Sequence, residues 1–487
     1  MNTNITRLLI VGFLLGGISC ARNPVTGKRE LSLMSEQQEI AIGQESHPQI
    51  VATMGLYENK QLQDFINEKG KAMGAISHRP NLPYQFYIVD SPVVNAFAVP
   101  GGYVYFTRGI LAHFNNEAEF AGVLGHEIGH VTAKHSVRQQ SSQLLTTLGA
   151  IAGTIAVPQL GETLMQGAQL LTLRYSREHE SESDGLGVQY SSKIGYDAVQ
   201  MANFFNTIKR IQDDAGQKIP DFLSTHPDPG DRYKRVQDLA KNYQGAYPSQ
   251  YKVERERYLR MIDGIIVGED PKQGFVENNM FYHPVLKFQF PVPNGWKHQN
   301  SPEQFQMGPA DGKAAMILML AKGNSLDEAA QTMVKELNLT VLENGRTTIN
   351  GSPALVIVSK QNPQQQQQGQ PQQQQTAANT LQIATWLIQY NGSIYALHGL
   401  SSAADFNARS GSFRGIAEAF RSLTDPEKLN RQPDRVKIVE SPRDGSFSEI
   451  MSALNMPASR LQELAVLNSM QATDRVTRGT LVKTIRR

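Results

Sequence analysis

Cysteine is almost absent from this chain, because Cys20 is its one thiol among 487 residues. A disulfide framework needs paired cysteines and a cysteine-based zinc or iron–sulfur site needs several, so both are excluded. Any metal must be bound by His, Asp and Glu side chains. Charge is also scarce and balanced: 19% of the residues are charged, with 47 Lys and Arg against 45 Asp and Glu. This balance argues against a nucleic-acid partner, and an apolar content of 40% excludes a wholly disordered chain.

The apolar runs are short, and the first of them marks the N-terminus. Arg7 precedes the eleven residues 8–18, a length typical of a secretory signal and too short to span a bilayer. The run ends in Gly17-Ile-Ser-Cys20, which resembles a bacterial lipoprotein signal, with an ordinary signal cleaved nearby as the alternative. We therefore predict a signal peptide over residues 1–19 and a lipid anchor on Cys20. By the same resemblance, Ala21 favours attachment to the outer membrane, on the periplasmic side.

The remaining periodicity divides the chain into three domains of α+β class. Helical patterns, interrupted by three short β-rich runs, predict a mainly helical domain with a small sheet over residues 20–270. A hydrophilic stretch near 269–274 separates this domain from an α+β domain at 275–425. A second stretch at 424–435 is a linker to a strand–helix–helix–strand unit at 436–487. The helical and strand-like patterns of the first domain are 35–54, 60–76, 84–90, 94–100, 102–107, a helix from Asn116, 144–157, 162–213 and 230–266.

The second domain contains a low-complexity tract. Residues 362–375 are nearly all Gln and Pro and lie between two strand-like runs, which predicts a disordered insertion in a hairpin. Phe281 and Trp296 are expected in the core rather than on a ligand platform. The predicted strands are 286–290, 315–320, 355–359, 381–389 and 393–397, and the predicted helices are 325–337 and 405–423.

One pentapeptide carries the chemistry: His126-Glu-Ile-Gly-His130, inside the helix that starts near Asn116. Residues four apart share a helix face, so both imidazoles can bind one ion. Glu127 then lies beside the open coordination position, where a general base is needed. This donor set fits catalytic Zn²⁺, one per chain. Gly125 and Gly129 each cost a helix about 1 kcal/mol relative to Ala, so we expect another backbone to approach this helix closely.

A third ligand must come from elsewhere. The metzincin continuation is excluded, because Ala133 and Ser136 occupy the positions where that class has Gly and His. His135 is predicted to point elsewhere on the helix and to serve in polar packing. An acidic helix at 178–184 offers two pairs with the same spacing, either as ligands or merely as a solvated face. The pairs are Glu180 with Asp184, and Glu178 with Glu182.

A further histidine, His226, lies in a Thr-His-Pro turn with Arg232 beyond it. A loop histidine can donate a hydrogen bond to a developing oxyanion. It can alternatively occupy the open position of the metal and silence the enzyme, or have no role. The residues alone leave these three possibilities open.

Taken together, the HExxH motif, Ser176-Arg177, Glu180 and Asp184 resemble the M48 metallopeptidases. The segments Asn23-Pro-Val-Thr-Gly-Lys28 and 95–102 resemble the periplasmic lipoprotein branch of that family. The resemblance implies a zincin-type fold, Glu180 as the third zinc ligand, and Asp184 as the carboxylate that accepts a hydrogen bond from a ligand imidazole. It also makes His226 a candidate catalytic residue.

The other two domains carry weaker resemblances. Residues 275–425 resemble PsbP/Mog1-type domains, and residues 436–487 resemble a LysM module, which implies peptidoglycan as a partner. From these features together we predict a zinc endopeptidase of the bacterial envelope. It would act in protein quality control on extended or unfolded polypeptides. These would add a strand beside Asn95, Ala96, Phe97 and Ala98. The alternative is a wall-tethered adaptor with a latent or inactive metallopeptidase fold.

Overall fold

The computed structural model describes residues 19–32, 34–139, 175–214, 222, 225–226, 232–362 and 380–487. The chain divides into two compact units, residues 1–268 with 434–487 and residues 269–433. Most of the predicted signal peptide, the apolar run 144–157 and most of the Gln-rich tract lie outside the described residues. No helix within the described ranges is long and apolar enough to cross a bilayer.

Helices dominate the N-terminal part of the first unit, as predicted. The Ser35 hydroxyl and the Gln38 side chain form a reciprocal capping box that starts the first helix. Asn116 likewise accepts a hydrogen bond from the backbone N–H of Glu119 and starts the helix that carries the HExxH motif. The helices are α1 (Glu36–Met54), α2 (Lys60–Ala75), α3 (Arg108–His113), α4 (Glu117–Thr132), α5 (Arg177–Lys193), α6 (Val199–Asp214), α7 (Arg232–Ala246) and α8 (Arg255–Met261).

Two small sheets accompany these helices. The first pairs β1 (Ser19–Arg22) with β2 (Arg29–Ser32) and places Cys20 opposite Leu31. The second has the order β3-β5-β4, from β3 (Gln85–Val89), β4 (Ala96–Val99) and β5 (Tyr103–Thr107). β4 and β5 form the predicted hairpin, which turns at Gly101 and Gly102 with φ of +86° and +91°. β3 runs parallel to β5.

The second unit is an antiparallel α+β fold. The strands are β6 (Phe275–Glu277), β7 (Met280–His283), β8 (Phe288–Pro291), β9 (Lys297–Asn300), β10 (Gln304–Gly308), β11 (Ala314–Leu320), β12 (Leu339–Ile349), β13 (Ser352–Gln361), β14 (Leu381–Tyr390), β15 (Ser393–Ser402) and β16 (Arg421–Ser422). They form a four-stranded sheet of order β16-β8-β7-β6 and a seven-stranded sheet of order β12-β13-β14-β15-β11-β10-β9. The helices are α9 (Leu326–Glu336), α10 (Phe406–Glu418) and α11 (Pro426–Leu429).

The predicted strands and helices of this unit are present, but six strands were missed. One of them, β16, lies within the predicted helix 405–423, which ends at Glu418 in the structure. The other five, β6, β7, β9, β10 and β12, are short or polar, so they lack the apolar runs by which a strand is recognised. Phe281 is 1% exposed and Trp296 packs against the same core, so both belong to it as predicted. β13 and β14, which flank the Gln-rich tract, pair antiparallel.

The C-terminal segment shows the predicted order of strand, helix, helix and strand. β17 (Arg435–Glu440) pairs antiparallel with β20 (Leu481–Arg486), and α12 (Phe447–Ala453) and α13 (Leu461–Leu467) lie between them in sequence. A short pair, β18 (Gly445–Ser446) with β19 (Arg475–Val476), completes the segment. We predicted a module of its own, whereas here the segment belongs to the first compact unit.

The reason is a shared interior. Apolar residues of the segment, Val436, Ile450 and Leu464 among them, lie in one hydrophobic cluster with Phe114 and Phe120 of the N-terminal part. The loop after α13 adds polar contacts, in which the Ser469 hydroxyl accepts from Asn115 Nδ2 at 2.9 Å. The segment therefore packs directly against the start of the helix that carries the HExxH motif.

A buried lysine links the two parts most tightly. Lys483 is 0% exposed. Its Nζ donates to the backbone oxygens of Ala112, Phe114 and Leu467 at 2.8, 2.7 and 3.0 Å. Two of these carbonyls belong to the N-terminal part, immediately before α4. Because a buried cation needs this number of acceptors, the lysine fixes the position of the segment.

Lys483→Met is expected to lower the free energy of unfolding of the first unit by about 3 kcal/mol, since it leaves buried carbonyls without a donor. Lys437→Met is the matched control, because Lys437 is half-exposed and pairs only with Asp263 at the same junction; its loss costs less than about 1 kcal/mol. Urea unfolding followed by far-ultraviolet circular dichroism measures both variants. Tryptophan fluorescence would not report on the first unit, because both tryptophans lie in the second unit. Equal effects of the two variants would contradict this role.

Candidate metal centre

The two motif histidines lie one turn apart on α4, a helix that is buried along its whole length. Their Nε2 atoms are 2.9 Å apart, and each side chain is about 1% exposed. Two ring nitrogens this close together are both directed at one common point between the rings. The structure therefore brings His126 and His130 together as the motif predicts.

Glycines determine how closely α5 approaches this helix. A Cβ on Gly125 would lie 2.9 Å from the backbone oxygen of Gly187, and a Cβ on Gly129 would lie 3.1 Å from Cβ of Leu186. Gly187 in turn faces the backbone of α4, because its Cβ would lie 3.1 Å from the His126 nitrogen. The predicted close approach of another backbone is confirmed. It brings the acidic side chains of α5 to the imidazoles of α4.

Of the two acidic pairs, the structure places Glu180 and Asp184 at the histidines. Glu180 is 1% exposed, and its carboxylate oxygens lie 3.5 Å from His126 Nε2 and 3.4 Å from His130 Nε2. Glu178 is exposed, and Glu182 contacts His135 instead. The ambiguity that spacing left open is resolved by the direction in which α5 crosses α4.

His226 completes the cluster. Its ring stacks on Phe222 with centroids 4.7 Å apart. Its Nδ1 lies 3.3 Å from His126 Nε2 and 3.0 Å from Glu180 Oε1. Ligand atoms of His126, His130, Glu180 and His226 all lie within 4.8 Å of one another. Metal bonds of about 2.1 Å in a tetrahedron place ligand atoms about 3.4 Å apart, so these side chains fit one Zn²⁺.

Buried polar atoms without partners support the same conclusion. Both carboxylate oxygens of Glu127 and Nε2 of His226 are buried and make no hydrogen bond. Oε1 of Glu127 lies 3.6 Å from that Nε2. Burial raises the pKa of the Glu127 carboxyl, although His226 and His126 oppose the shift. A cation among the ligands would compensate for this desolvation, since buried charges in proteins are paired or bind metals.

Charged side chains hold the His126 ring on the side of its Nδ1. Asp184 Oδ1 lies 3.0 Å from His126 Nδ1. Arg232, 1% exposed, donates to both oxygens of Asp184, and its Nη1 lies 3.0 Å from Glu180. Burial alone would raise the pKa of Asp184, but Arg232 and His126 lower it to about 2. An ionised Asp184 can accept Nδ1–H of His126, which leaves Nε2 to the metal.

Two neighbours were not recognised as site residues from the sequence. Arg232 was noted only as lying beyond the Thr-His-Pro turn. Tyr175 stacks on His130 with centroids 3.9 Å apart, and its hydroxyl bonds to Ser136. Their signal was weak, because a lone Arg or Tyr far from the motif becomes part of a site only through the tertiary fold.

The remaining predicted residues lie elsewhere. Asn95, Ala96, Phe97 and Ala98 lie on or beside β4, which pairs only with β5 among the described strands, and they are 0 to 7% exposed. Cys20 lies in β1. Their roles in substrate binding and lipidation stay predictions.

An HExxH helix whose imidazoles meet a carboxylate from a second helix defines a metallopeptidase-type site. Residues 58–240 match the sequence model of peptidase family M48, and the chain carries a domain of that family.

Curated relatives include the beta-barrel assembly-enhancing proteases of Yersinia pestis and Escherichia coli (strain K12). They are 32% and 28% identical to this chain, and each match covers 49% of this chain and 52% and 53% of the relative. The mitochondrial metalloendopeptidase OMA1 of Arabidopsis thaliana is 32% identical over 35% of this chain and 34% of its own length. The chain thus spans about half the length, or less, of these relatives.

Two solved structures show a distant likeness. PsbP from Synechocystis sp. PCC 6803 is 9% identical, with a TM-score of 0.23 over 30% of this chain and 91% of that one. The Saccharomyces cerevisiae Ran-binding protein Mog1p is 14% identical, with a TM-score of 0.23 over 31% and 97%. Scores this low leave the PsbP/Mog1 resemblance of residues 275–425 a prediction.

Two glycines test the helix contact that assembles the site. Gly125→Ala is expected to destabilise the protein by about 1 to 3 kcal/mol through overpacking and to weaken metal binding, although Ala favours a helix. Gly185→Ala is the control, since a Cβ there meets nothing within 4 Å, and it should be neutral or stabilising by up to about 1 kcal/mol. Unfolding curves and zinc titrations measure both effects. Full zinc affinity in the Gly125 variant would contradict this account of the site.

Proposed function

We propose that this protein is a zinc-dependent endopeptidase of the bacterial cell envelope that hydrolyses unfolded or misassembled proteins. The observation that carries the proposal is the position of Glu127 beside a buried cluster of three histidines and a glutamate. A chain that used this fold only as an adaptor would not need both ligands and base.

The residues divide the work of peptide hydrolysis. His126, His130 and Glu180 would hold one Zn²⁺, which lowers the pKa of a coordinated water to about 7 and polarises the scissile carbonyl. Glu127 would take the proton of the attacking water and pass it to the leaving amine, which typically contributes a factor of about 100 to 10,000. Asp184 and Arg232 keep His126 oriented during these steps.

In this structure the site is closed to solvent. Glu127 and His226 are 0% exposed, and Nδ1 of His226 lies among the ligand atoms of the other three side chains. A substrate carbonyl needs the place that His226 fills. Of the roles that the sequence left open, this geometry favours latency: His226 would act as a fourth ligand and leave when the site opens.

Three further parts of the proposal concern substrate and location. Extended polypeptide would pair with the edge of β4 opposite β5, near residues 95–98, which would give backbone recognition with weak side-chain preference. The names of the beta-barrel assembly-enhancing proteases support a role in envelope quality control. Lipidated Cys20 would anchor the protein to the outer membrane, and residues 436–487 would bind peptidoglycan.

Glu127→Gln tests the chemistry. The variant should bind zinc as the native protein does but cleave unfolded casein at least about 100-fold more slowly, since the amide cannot take a proton. Glu178→Gln, an exposed carboxylate on α5, is the matched control and should keep full activity. Metal analysis and casein cleavage are measured on the same preparations. Unimpaired cleavage by Glu127→Gln would refute the proposed mechanism.

His226→Ala tests the closed form. If His226 silences the site, its removal should increase casein cleavage while zinc stays bound by the other three ligands. A fall in cleavage with zinc retained would instead indicate that His226 donates to the oxyanion. No cleavage by either form, with zinc bound, would favour the adaptor.

A further inference from the structure

The spacing of His135 from the motif predicts that its side chain points away from the site. This prediction is wrong, because the side chain faces the site. It is 0% exposed, and its Nδ1 lies 2.9 Å from Nδ1 of His130. Its other nitrogen, Nε2, lies 3.1 Å from Oε2 of Glu182, which also accepts from Arg138 at 3.2 Å. His130, His135 and Glu182 thus form a continuous polar chain that leads outward from the metal ligands.

A break in the backbone produces this arrangement. In an uninterrupted helix, side chains five positions apart point about 140° away from each other. Here α4 ends at Thr132, Lys134 adopts φ of +58°, and residues 135–139 begin a new helical turn. The left-handed residue redirects the chain, so that the His135 ring returns to the outer side of His130.

A buried ion cluster holds the break in place. A left-handed conformation at a lysine costs roughly 1 to 3 kcal/mol and persists only where its surroundings impose it. Lys134 Nζ contacts Oε1 of Glu39 at 2.6 Å, and Arg79 contacts the other oxygen of Glu39 at 2.7 Å. Arg79 also donates to the backbone oxygen of Val131 at 3.1 Å, in the last turn of α4. The strained turn is therefore anchored to α1.

The chemistry of the chain allows one proton arrangement when metal is bound. A ligand His130 offers the Nε2 lone pair, so its proton is on Nδ1 and must be donated outward. Nδ1 of His135 is the acceptor in reach. The proton of His135 is then on Nε2, where the Glu182 carboxylate accepts it. We propose that His135 is a positioning residue that fixes the tautomer and the ring orientation of His130, as Asp184 does for His126.

This inference rests on the proposed metal site but adds a group to it. Second partners of this kind typically contribute 10- to 100-fold to metal affinity. Ser183 Oγ also lies 3.3 Å from His135 Nδ1, and His179 stacks on the ring, so mere packing is the competing explanation. A packing role needs only the volume of the side chain, whereas a positioning role needs an acceptor at Nδ1.

The test uses the full chain and measures zinc Kd by competition with a chromophoric chelator. His135→Leu keeps the volume but removes the acceptor, so it should bind zinc 10- to 100-fold more weakly. His135→Asn places an amide oxygen near the lost nitrogen and should recover most of this affinity. Glu182→Gln should weaken binding, whereas the exposed Glu178→Gln on the same helix should not.

Each outcome bears on one of the two claims. Failure of the native chain to bind zinc overturns the metal site itself. Native zinc affinity in a folded His135→Leu variant overturns only the role of His135. Should that variant not fold, ¹⁵N chemical shifts of the histidines in the zinc-loaded native protein decide. Protons on Nδ1 of His130 and Nε2 of His135 support the proposal, and any other pair of tautomers overturns it.

Discussion

The contact between α4 and α5 is the constraint on which the site depends. Glycines on both helices let the backbones approach until the Glu180 carboxylate meets two imidazoles in a water-poor interior. Such a group of donors is expensive to bury unless a cation binds among them. The surrounding ion pairs, above all Arg232 on Asp184, hold the donors in one arrangement. Gly125 and Gly129 lower the intrinsic stability of the helix, but they permit the close contact that brings these donors together.

A second layer of the structure supports this contact from both ends of α4. At its start, Lys483 and Ser469 of the C-terminal segment contact residues 112–115. At its end, the ion pairs of Glu39 with Lys134 and Arg79 hold the left-handed Lys134 and with it His135. The helix that carries the motif is thus held at both of its ends. Metal sites need this precision because small displacements weaken coordination.

Much of this could be predicted from residue patterns. Alternation and turn residues identified the β4–β5 hairpin, the capping box at Ser35 and the Asn116 cap fixed two helix starts, and HExxH spacing identified both histidines. These signals are local, since each depends on residues within about five positions of one another. Strands that are short or polar, β6, β7, β9, β10 and β12, gave no such signal and were missed.

The sequence by itself determined which side chains are able to bind the metal, because ligand chemistry and helical spacing are properties of residue types and their order. Spacing alone left open which acidic pair faces the histidines, and the family resemblance indicated Glu180 with Asp184. The tertiary structure decided how this pair reaches the histidines, that His135 turns back to His130, and that residues 434–487 share a core with the N-terminal part. Each of these depends on contacts between segments far apart in the chain. Glu178 and Glu180 are the same residue type on the same helix. The way in which α5 crosses α4 leaves Glu178 exposed and buries Glu180.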